Sequence, residues 1–312
     1  MSLGMESRER GFQVMVSRVF EGPPVMVPSR SAIWLKGWRR FAANRAALLG
    51  LLWLILFGVV ALWGRQLAPY SMQYANLFAG NEGPSLLHPF GTDSLGQDML
   101  TMVMYGLRYT LAVGFGATVV ALVVGVFIGL TSGMAGRLLD EGLMRLTDFV
   151  YAFPGFLFAA FIVGAFHGQT EVVILAFGLT QWAGFARLTR GLVLTVRHSE
   201  LVESGRAIGA SRAFIALRYI LPQVVNSIIV YTAFVAVNII TLQAELSLFY
   251  GTGPALPLIS FGQLISQGTA DVLGYWWLLV LPVGTLISLL VALVVVGEGL
   301  QAALNPKGNR IL

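Results

Sequence analysis

"ESGRAIGASRAFIALRYILP", residues 203–222, lies past the middle of a chain whose other long stretches are strongly apolar. Glu203, Arg206, Arg212 and Arg218 bring charge into this setting. Charge of that density needs water or a polar partner. Where the stretch sits relative to its apolar neighbours decides the fold.

Local chemistry gives the stretch a shape. From Glu200 onward, acids in the first turn of a short helix complement the helix dipole. Gly209 suits the left-handed position just past a helix C-terminus. Ser211 suits the N-cap of a second helix running through Arg212 and Arg218, whose face of Ile208, Ser211, Ile215 and Tyr219 is only weakly amphipathic. Pro222 is expected to bend the chain where that helix enters the apolar region. The expectation is a helix–turn–helix that projects toward a partner. A basic loop held against anionic lipid is the alternative; it explains the arginines but not the placing of the glycine.

Outward from this stretch, composition sets the class. Of 312 residues 56% are hydrophobic and 11% charged, against about 25% charged in soluble domains. With a mean hydropathy of +0.77, the chain reads as an all-α polytopic membrane protein. About six spans are expected, at 46–64, 110–131, 149–166, 171–186, 224–249 and 276–296. The fourth is the weakest, since Gln181 and two glycines dilute it.

An even number of spans puts both termini on one side. If that side is the cytoplasm, the inner segments hold eight Lys and Arg before the first span, two in 132–148 and six from Arg187 to Arg218. With Lys307 and Arg310 this makes 18 of the 20, leaving only Arg65 and Arg108 outside. Such asymmetry follows the positive-inside rule. It also explains the net charge of +5 and leaves nothing for a nucleic-acid partner to account for. Residues 203–222 are therefore expected in the cytoplasm.

The remaining segments divide into a cytoplasmic tail (1–30), an interfacial elbow (31–45) and a transmembrane domain (46–312). In the elbow, Trp34, Trp38 and Phe41 recur at helical spacing while Lys36, Arg39 and Arg40 lie elsewhere around the helix, a pattern suited to the lipid interface. No removable signal peptide is evident. Gly125, Gly129 and Gly133 form a small-residue ridge that fits packing within the chain as well as against another subunit. Pro154 is expected to kink the third span. Asn238, Thr241, Gln243 and Glu245 place polar groups within the fifth, and an acid there faces a cavity or a polar partner. Pro154, Asn238, Thr241 and Glu245 are thus candidates for a translocation path or gate; an interhelical hydrogen bond is the other reading of Glu245. In the outer loop, Asp93 and Asp98 read either as helix caps or as contacts for an outer partner. "GTGPALP" reads as turns, and "LISFGQLISQG" as a short helix over the outer mouth.

Several chemistries are missing. Cysteine is absent. Only Lys36 and Lys307 occur, and neither completes a GxxxxGK[ST] phosphate loop. His88, His167 and His198 lack metal-ligand spacing. "GFGATV" and "GTGPAL" are incomplete dinucleotide fingerprints. Catalysis by this chain, a metal site and a cofactor of its own are not expected.

The stretch at 203–222 resembles the cytoplasmic EAA loop of permeases in binding-protein-dependent ABC importers. That pattern is Glu-Ala-Ala, three residues, Gly, nine residues, then Ile-x-Leu-Pro. Glu203, Gly209, Leu221 and Pro222 match it; Ser204 and Gly205 replace the alanines and Tyr219 the isoleucine. "FGTDSLGQDML", "DEGLMRLTDFVYAFPGF", "GFARLTRG", "AELSLFYGTG" and the entry "WRRFAANRAALLGLL" are similar to the dipeptide/oligopeptide/nickel branch, and within it to the second (C-type) permease. The resemblance covers about residues 35–305.

It implies the type I importer permease fold in a bacterial plasma (inner) membrane. It further implies a heterodimer with a related permease, two ABC ATPase subunits holding ATP and Mg, and an extracytoplasmic solute-binding protein. Residues 200–218 become the coupling segment. Glu203, Ser204, Gly205, Ala207, Gly209, Ala210 and Arg212 contact an ATPase, and Leu221 and Pro222 support them. The implied cargo is di- or oligopeptide, with nickel chelates, glutathione or another peptide-like solute as alternatives. A membrane scaffold or receptor subunit that moves no solute is the rival from another class.

Overall fold

The computed structural model describes residues 30–166, 168–250 and 259–304. The chain divides into two units between Arg40 and Phe41. The described part of the first is the start of α1 (Arg30–Ala43); all that follows concerns the second. The tail, His167, the "GTGPALP" turns, Lys307 and Arg310 lie outside the described residues.

The Asn44 side chain accepts from Ala47 N–H and so starts α2 (Arg45–Leu67). After a long loop come α3 (Met99–Met134), α4 (Arg137–Ala152), α5 (Gly155–Ala165) and α6 (Thr170–Val196). The charged stretch supplies α7 (Glu200–Ala207), α8 (Arg212–Ile215) and a π-helical turn (Ala216–Ile220) leading into α9 (Leu221–Tyr250). Then follow α10 (Phe261–Ala270) and α11 (Trp277–Leu304). Among the described residues there is no strand beyond a single bridge, Thr92 with Asp98. Among the described residues, five helices are long and apolar enough to cross a membrane: α2, α3, α6, Arg212–Phe249 and α11. The bent pair α4–α5 makes a sixth if it counts as one span.

That pair stands where one kinked span is expected over 149–166 and begins earlier, at Arg137. Pro154 does not merely kink a helix; it ends α4, and the chain turns by 79° into α5. The residue before a proline is driven to extended backbone, and Phe153 has φ −78°, ψ 132°. Helix α5, with 11 residues, is only about 16 Å long at 1.5 Å per residue. It cannot cross a hydrocarbon core of about 30 Å alone. The fourth span differs in the other direction: α6 runs to Val196, ten residues beyond the expected end at 186.

The glycine ridge explains why α6 extends. A β-carbon on Gly129 would stand 2.6 Å from Thr189 Cβ, and one on Gly133 2.7 Å from Val193 Cβ. Gly125 meets Phe185 and the Trp182 carbonyl in the same way. The ridge is therefore a seam within the chain, between α3 and α6. Backbone contact along it buries Val113, Ala117, Ala121, Phe177, Ala183, Phe185 and Ala186. This agrees with membrane helices associating through close packing of small residues rather than through hydrophobic exclusion.

At the end away from the charged stretch, the 68–98 loop is folded rather than loose. Thr92 accepts from Glu82 N–H (2.8 Å) and donates to the Ala79 carbonyl (2.6 Å), and its own carbonyl accepts from the Trp277 indole (3.3 Å). Gly91 suits this loop twice over: its φ of +72° is left-handed, and a side chain there would strike Trp277. As expected, the segment after Ser260 forms a helix, α10, started by a reciprocal capping box of Ser260 and Gln263.

Candidate functional site

The charged stretch is a rigid turn. Ala210 N–H donates to the Gly205 carbonyl (3.1 Å) and Gly209 N–H to Arg206 (3.0 Å). With Gly209 at φ +77°, these two bonds close α7 in a Schellman motif. Ser211 then accepts from Phe214 N–H (3.2 Å) and opens α8. Helix, left-handed glycine and serine cap stand in the order that the residue types predict.

The hairpin has an inner and an outer side. Val202, Ile215 and Ile220 are buried together with Val193 of α6, and Ala210 and Tyr219 pack on that cluster. Glu203, Ser204, Ala207, Gly209 and Arg212 are exposed, and the apolar Ile208 at the tip is 77% exposed. One residue expected to contact an ATPase is corrected. Gly205 is buried and faces the Tyr219 ring, where a β-carbon would stand 2.9 Å from Cε2. Ala210 is half-buried against the same cluster. Conversely, Ile208 and Leu201 are large exposed apolar side chains of this turn that pattern reading missed. An isoleucine directly before the turn glycine is the signal that marks the tip.

Pro222 also acts differently from the expected bend. The helix continues through it, and the irregularity sits one turn earlier, at Ala216–Ile220. A proline cannot donate, and its ring crowds the carbonyl four residues back. The widened turn, with Leu221 N–H on the Ala216 carbonyl, makes room for it. The Gln223 side chain donates to the Tyr219 carbonyl at 2.7 Å. Leu221 is half-buried and Pro222 exposed.

Polar ties brace the turn to the rest of the fold. Arg190 of α6 donates to Asp140 of α4 through Nε (2.6 Å) and Nη2 (2.7 Å), and Ser132 of α3 donates to the same carboxylate. Arg197, just before α7, reaches the Gly133 carbonyl at 3.4 Å. These ties join the ends of α3, α4 and α6 beside the turn.

On α9, Asn238, Thr241 and Glu245 share one face. It continues the sequence Ser227, Tyr231, Phe234 at intervals of four and three residues, the helical repeat. Asn238 and Glu245 are exposed, and neither has a hydrogen-bond partner among the described residues; Thr241 donates to its own helix at Val237 (2.9 Å). Gln243 points the other way, 1% exposed, and donates to Ser247. Gln243 packs inside with its bond in the same helix, while Glu245 faces out and makes no interhelical hydrogen bond among the described residues. The Pro154 break leads into α5, which meets α9 where Phe156 packs on Phe249 (5.5 Å).

In the loop at the other end, Asp98 is 2% exposed and caps α3 at Thr101 (2.8 Å), while His88 approaches it at 2.9 Å. Buried and paired, Asp98 takes the cap reading, and the alternative of a contact with an outer partner is corrected. Asp93 is half-buried and accepts from Leu95 (2.9 Å) and Gln97 (2.8 Å). Burial pushes its carboxyl up, and those backbone N–H groups pull against the rise. The large apolar side chains exposed at this end include Leu77, Phe78, Leu86, Leu87 and Leu273, and they stand among exposed polar residues such as Gln73, Glu82, Ser94 and Asp271. Among the described residues no cluster of His, Asp or Glu fit for a metal ion occurs.

Comparisons with known proteins agree with this geometry. Residues 121–309 match the family described as binding-protein-dependent transport system inner membrane component, and residues 33–84 match the N-terminal TM domain of oligopeptide transport permease C. The chain is 32% identical to the oligopeptide transport system permease protein OppC of Bacillus subtilis (strain 168), covering 88% of this chain and 90% of that one. It is 36% identical to the glutathione transport system permease protein GsiD of Shigella dysenteriae serotype 1 (strain Sd197), covering 93% and 96%. It is 34% identical to the dipeptide transport system permease protein DppC of Bacillus subtilis (strain 168), covering 88% and 85%. In fold it is similar to a chain of the inward-facing MetNI methionine ABC transporter, with TM-score 0.56 and 16% identity, covering 66% of this chain and 97% of that one. With its family match spanning the α3–α11 core and its N-terminal match the entry helices, the chain belongs to the binding-protein-dependent transport system inner membrane components, in the C-type peptide permease branch.

Proposed function

We propose that this chain is one of two permease subunits of an ATP-driven importer of di- and oligopeptides. A related permease completes the membrane path, two ABC ATPases hold ATP and Mg below, and a solute-binding protein delivers cargo from outside. The observation that carries the reading is the exposed side of the 200–209 turn, held rigid from within by Val202, Gly205 and Ile215. A stiff knob transmits displacement; a loose loop absorbs it. Both termini and this turn lie in the cytoplasm, in keeping with the Lys and Arg distribution.

In this mechanism, closure of the ATPases on ATP moves the turn. The ties through Arg190–Asp140 and Arg197–Gly133 pass the movement to α3, α4 and α6, and the Pro154 bend and α9 open the path outward. Glu245 and Asn238 line that path together with the second permease, since an unpaired acid on a membrane helix is costly against lipid. The binding protein docks on the exposed apolar tips Leu77, Phe78 and Leu86 rather than on Asp98. Glutathione is the second reading of the cargo, favoured by the similarity to GsiD at 36% identity.

The test is reconstitution of this chain with its partner permease, ATPases and binding protein in proteoliposomes. ATP-dependent accumulation of a labelled di- or tripeptide supports the reading. Accumulation of glutathione alone shifts the cargo. Assembly with the ATPases but no accumulation of any solute identifies a scaffold instead.

A further inference from the structure

Two arginines of α6, three residues apart, meet two aspartates of α4, and the two pairs are not alike. Arg190 uses both Nε and Nη2 on Asp140, with side-chain exposures of 32% and 19%. Arg187 gives only Nη2 to Asp148, at 2.7 Å, with exposures of 45% and 52%. Its Nε and Nη1 have no partner among the described residues. The first pair ties helices together; the second is open and half-used.

Arg187 is nevertheless held in place. Its guanidinium carbon lies 4.2 Å from the centroid of the Tyr151 ring, a cation–π arrangement that orients the planar fork. Next to it, Gly184 leaves room where the Tyr231 hydroxyl approaches and where Tyr151's hydroxyl lies 3.8 Å from the β-carbon position. Tyr231 belongs to the polar face of α9, and with Leu188, Ser227, Asn226 and Gln301 it also lines a recess of about 370 Å³. An oriented guanidinium with spare donors thus stands beside the path at the end where the charged turn lies.

A planar guanidinium with free N–H groups fits a carboxylate better than any other common group. Asp148, exposed and in a single contact, is a counter-ion that exchanges readily, because ion pairs in contact with water contribute little. The geometry points to Arg187 as a subsite for the terminal carboxylate of the cargo at the inner end of the path, with Asp148 as the counter-ion that the cargo displaces. This rests on the peptide-importer reading above. Tyr151 sets the guanidinium's orientation, and the two phenols offer hydroxyls to the rest of a peptide-like solute. The subsite reads the carboxylate and not the side chains, as a carrier of varied peptides requires.

The experiment uses the assembled complex without nucleotide or binding protein, probed by ligand-observed NMR with alanyl-alanine and with its C-terminal amide. The native complex is expected to bind the free acid at least tenfold more tightly than the amide. Arg187→Gln is expected to abolish that preference, and Arg187→Lys to keep only part of it. Asp148→Asn, which removes the same ion pair but leaves the guanidinium, is expected to hold the acid as tightly as the native complex or more so. Equal binding of acid and amide by the native complex, no binding of either, or equal impairment in Arg187→Gln and Asp148→Asn overturns the proposal. The last of these assigns the pair to holding α4 against α6 only. Peptide accumulation by the native proteoliposomes is measured alongside: if it is present while acid and amide are not distinguished, this subsite alone fails; if it is absent, the peptide-importer reading fails.

Discussion

Gly205 and Tyr219 are a matched pair: the ring of Tyr219 occupies the space that a side chain on residue 205 would fill, with Cε2 2.9 Å from the β-carbon position. Both depart from the EAA pattern, and they depart together. Gly205→Ala alone is therefore expected to lower thermal stability, because overpacking costs about 1–3 kcal/mol against a helix-propensity gain of at most about 1 kcal/mol. Gly205→Ala with Tyr219→Ile removes the ring and leaves the gain, so the double variant should be at least as stable as the native chain. Melting curves of the four proteins decide it; additive effects would show that the two residues do not interact.

Gly209 makes a different demand. Nothing lies within 4 Å of its β-carbon position, and its φ is +77°. Only the backbone resists substitution, by about 1–2 kcal/mol for most residues and least for asparagine. In the reconstituted complex, Gly209→Asn should keep most of the binding-protein-stimulated ATPase activity. Gly209→Val should lose most of it while assembly persists. Equal activity in both variants would remove the turn from the coupling path.

The two polar residues near the end of α9 should separate by assay. Glu245 is exposed and unpaired among the described residues, whereas Gln243 is buried on Ser247. Glu245→Gln is expected to slow uptake severalfold with an unchanged melting temperature. Gln243→Leu is expected to leave uptake per folded complex near normal while shifting stability by about 1 kcal/mol. The reverse assignment would place Glu245 in packing.

At the opposite end, Phe78→Asp and Leu86→Asp replace exposed apolar side chains that touch little of the chain itself. Stability should hold, since exposed substitutions usually stay within about 0.5 kcal/mol. The affinity of the complex for its binding protein should fall by tenfold or more, as measured by surface plasmon resonance on nanodiscs. Unchanged affinity would move the docking face elsewhere.

What the sequence makes legible here is what local chemistry controls. The left-handed glycine at 209 and the serine cap at 211 each depend on neighbours within a few residues, and each stands where residue type puts it. The ridge of Gly125, Gly129 and Gly133 was visible, but its partner was not, because a small-residue stripe does not name the surface that packs on it. Pro154 announced an interruption; its 79° angle is set by what α4 and α5 pack against. Gly205 with Tyr219, and Arg187 with Asp148, are separated along the chain by a turn or by a whole helix, so only the fold brings them together. Asp98 shows both sides: its cap at Thr101 was legible, but an acid in an outer loop carries no mark of being buried on His88.

Among the roles argued for this chain, the docking of the exposed turn on an ATPase is the one on which the rest depends. The absence of cysteine makes its test clean. Ile208→Cys, in a complex whose ATPase carries one introduced cysteine in its upper groove, is treated with a short bifunctional cross-linker, with and without ATP. The account predicts an efficient permease–ATPase cross-link whose yield changes on ATP binding, and none from the buried position in Val202→Cys. An assembled, ATP-hydrolysing complex that gives no cross-link from residue 208 in any nucleotide state would contradict it.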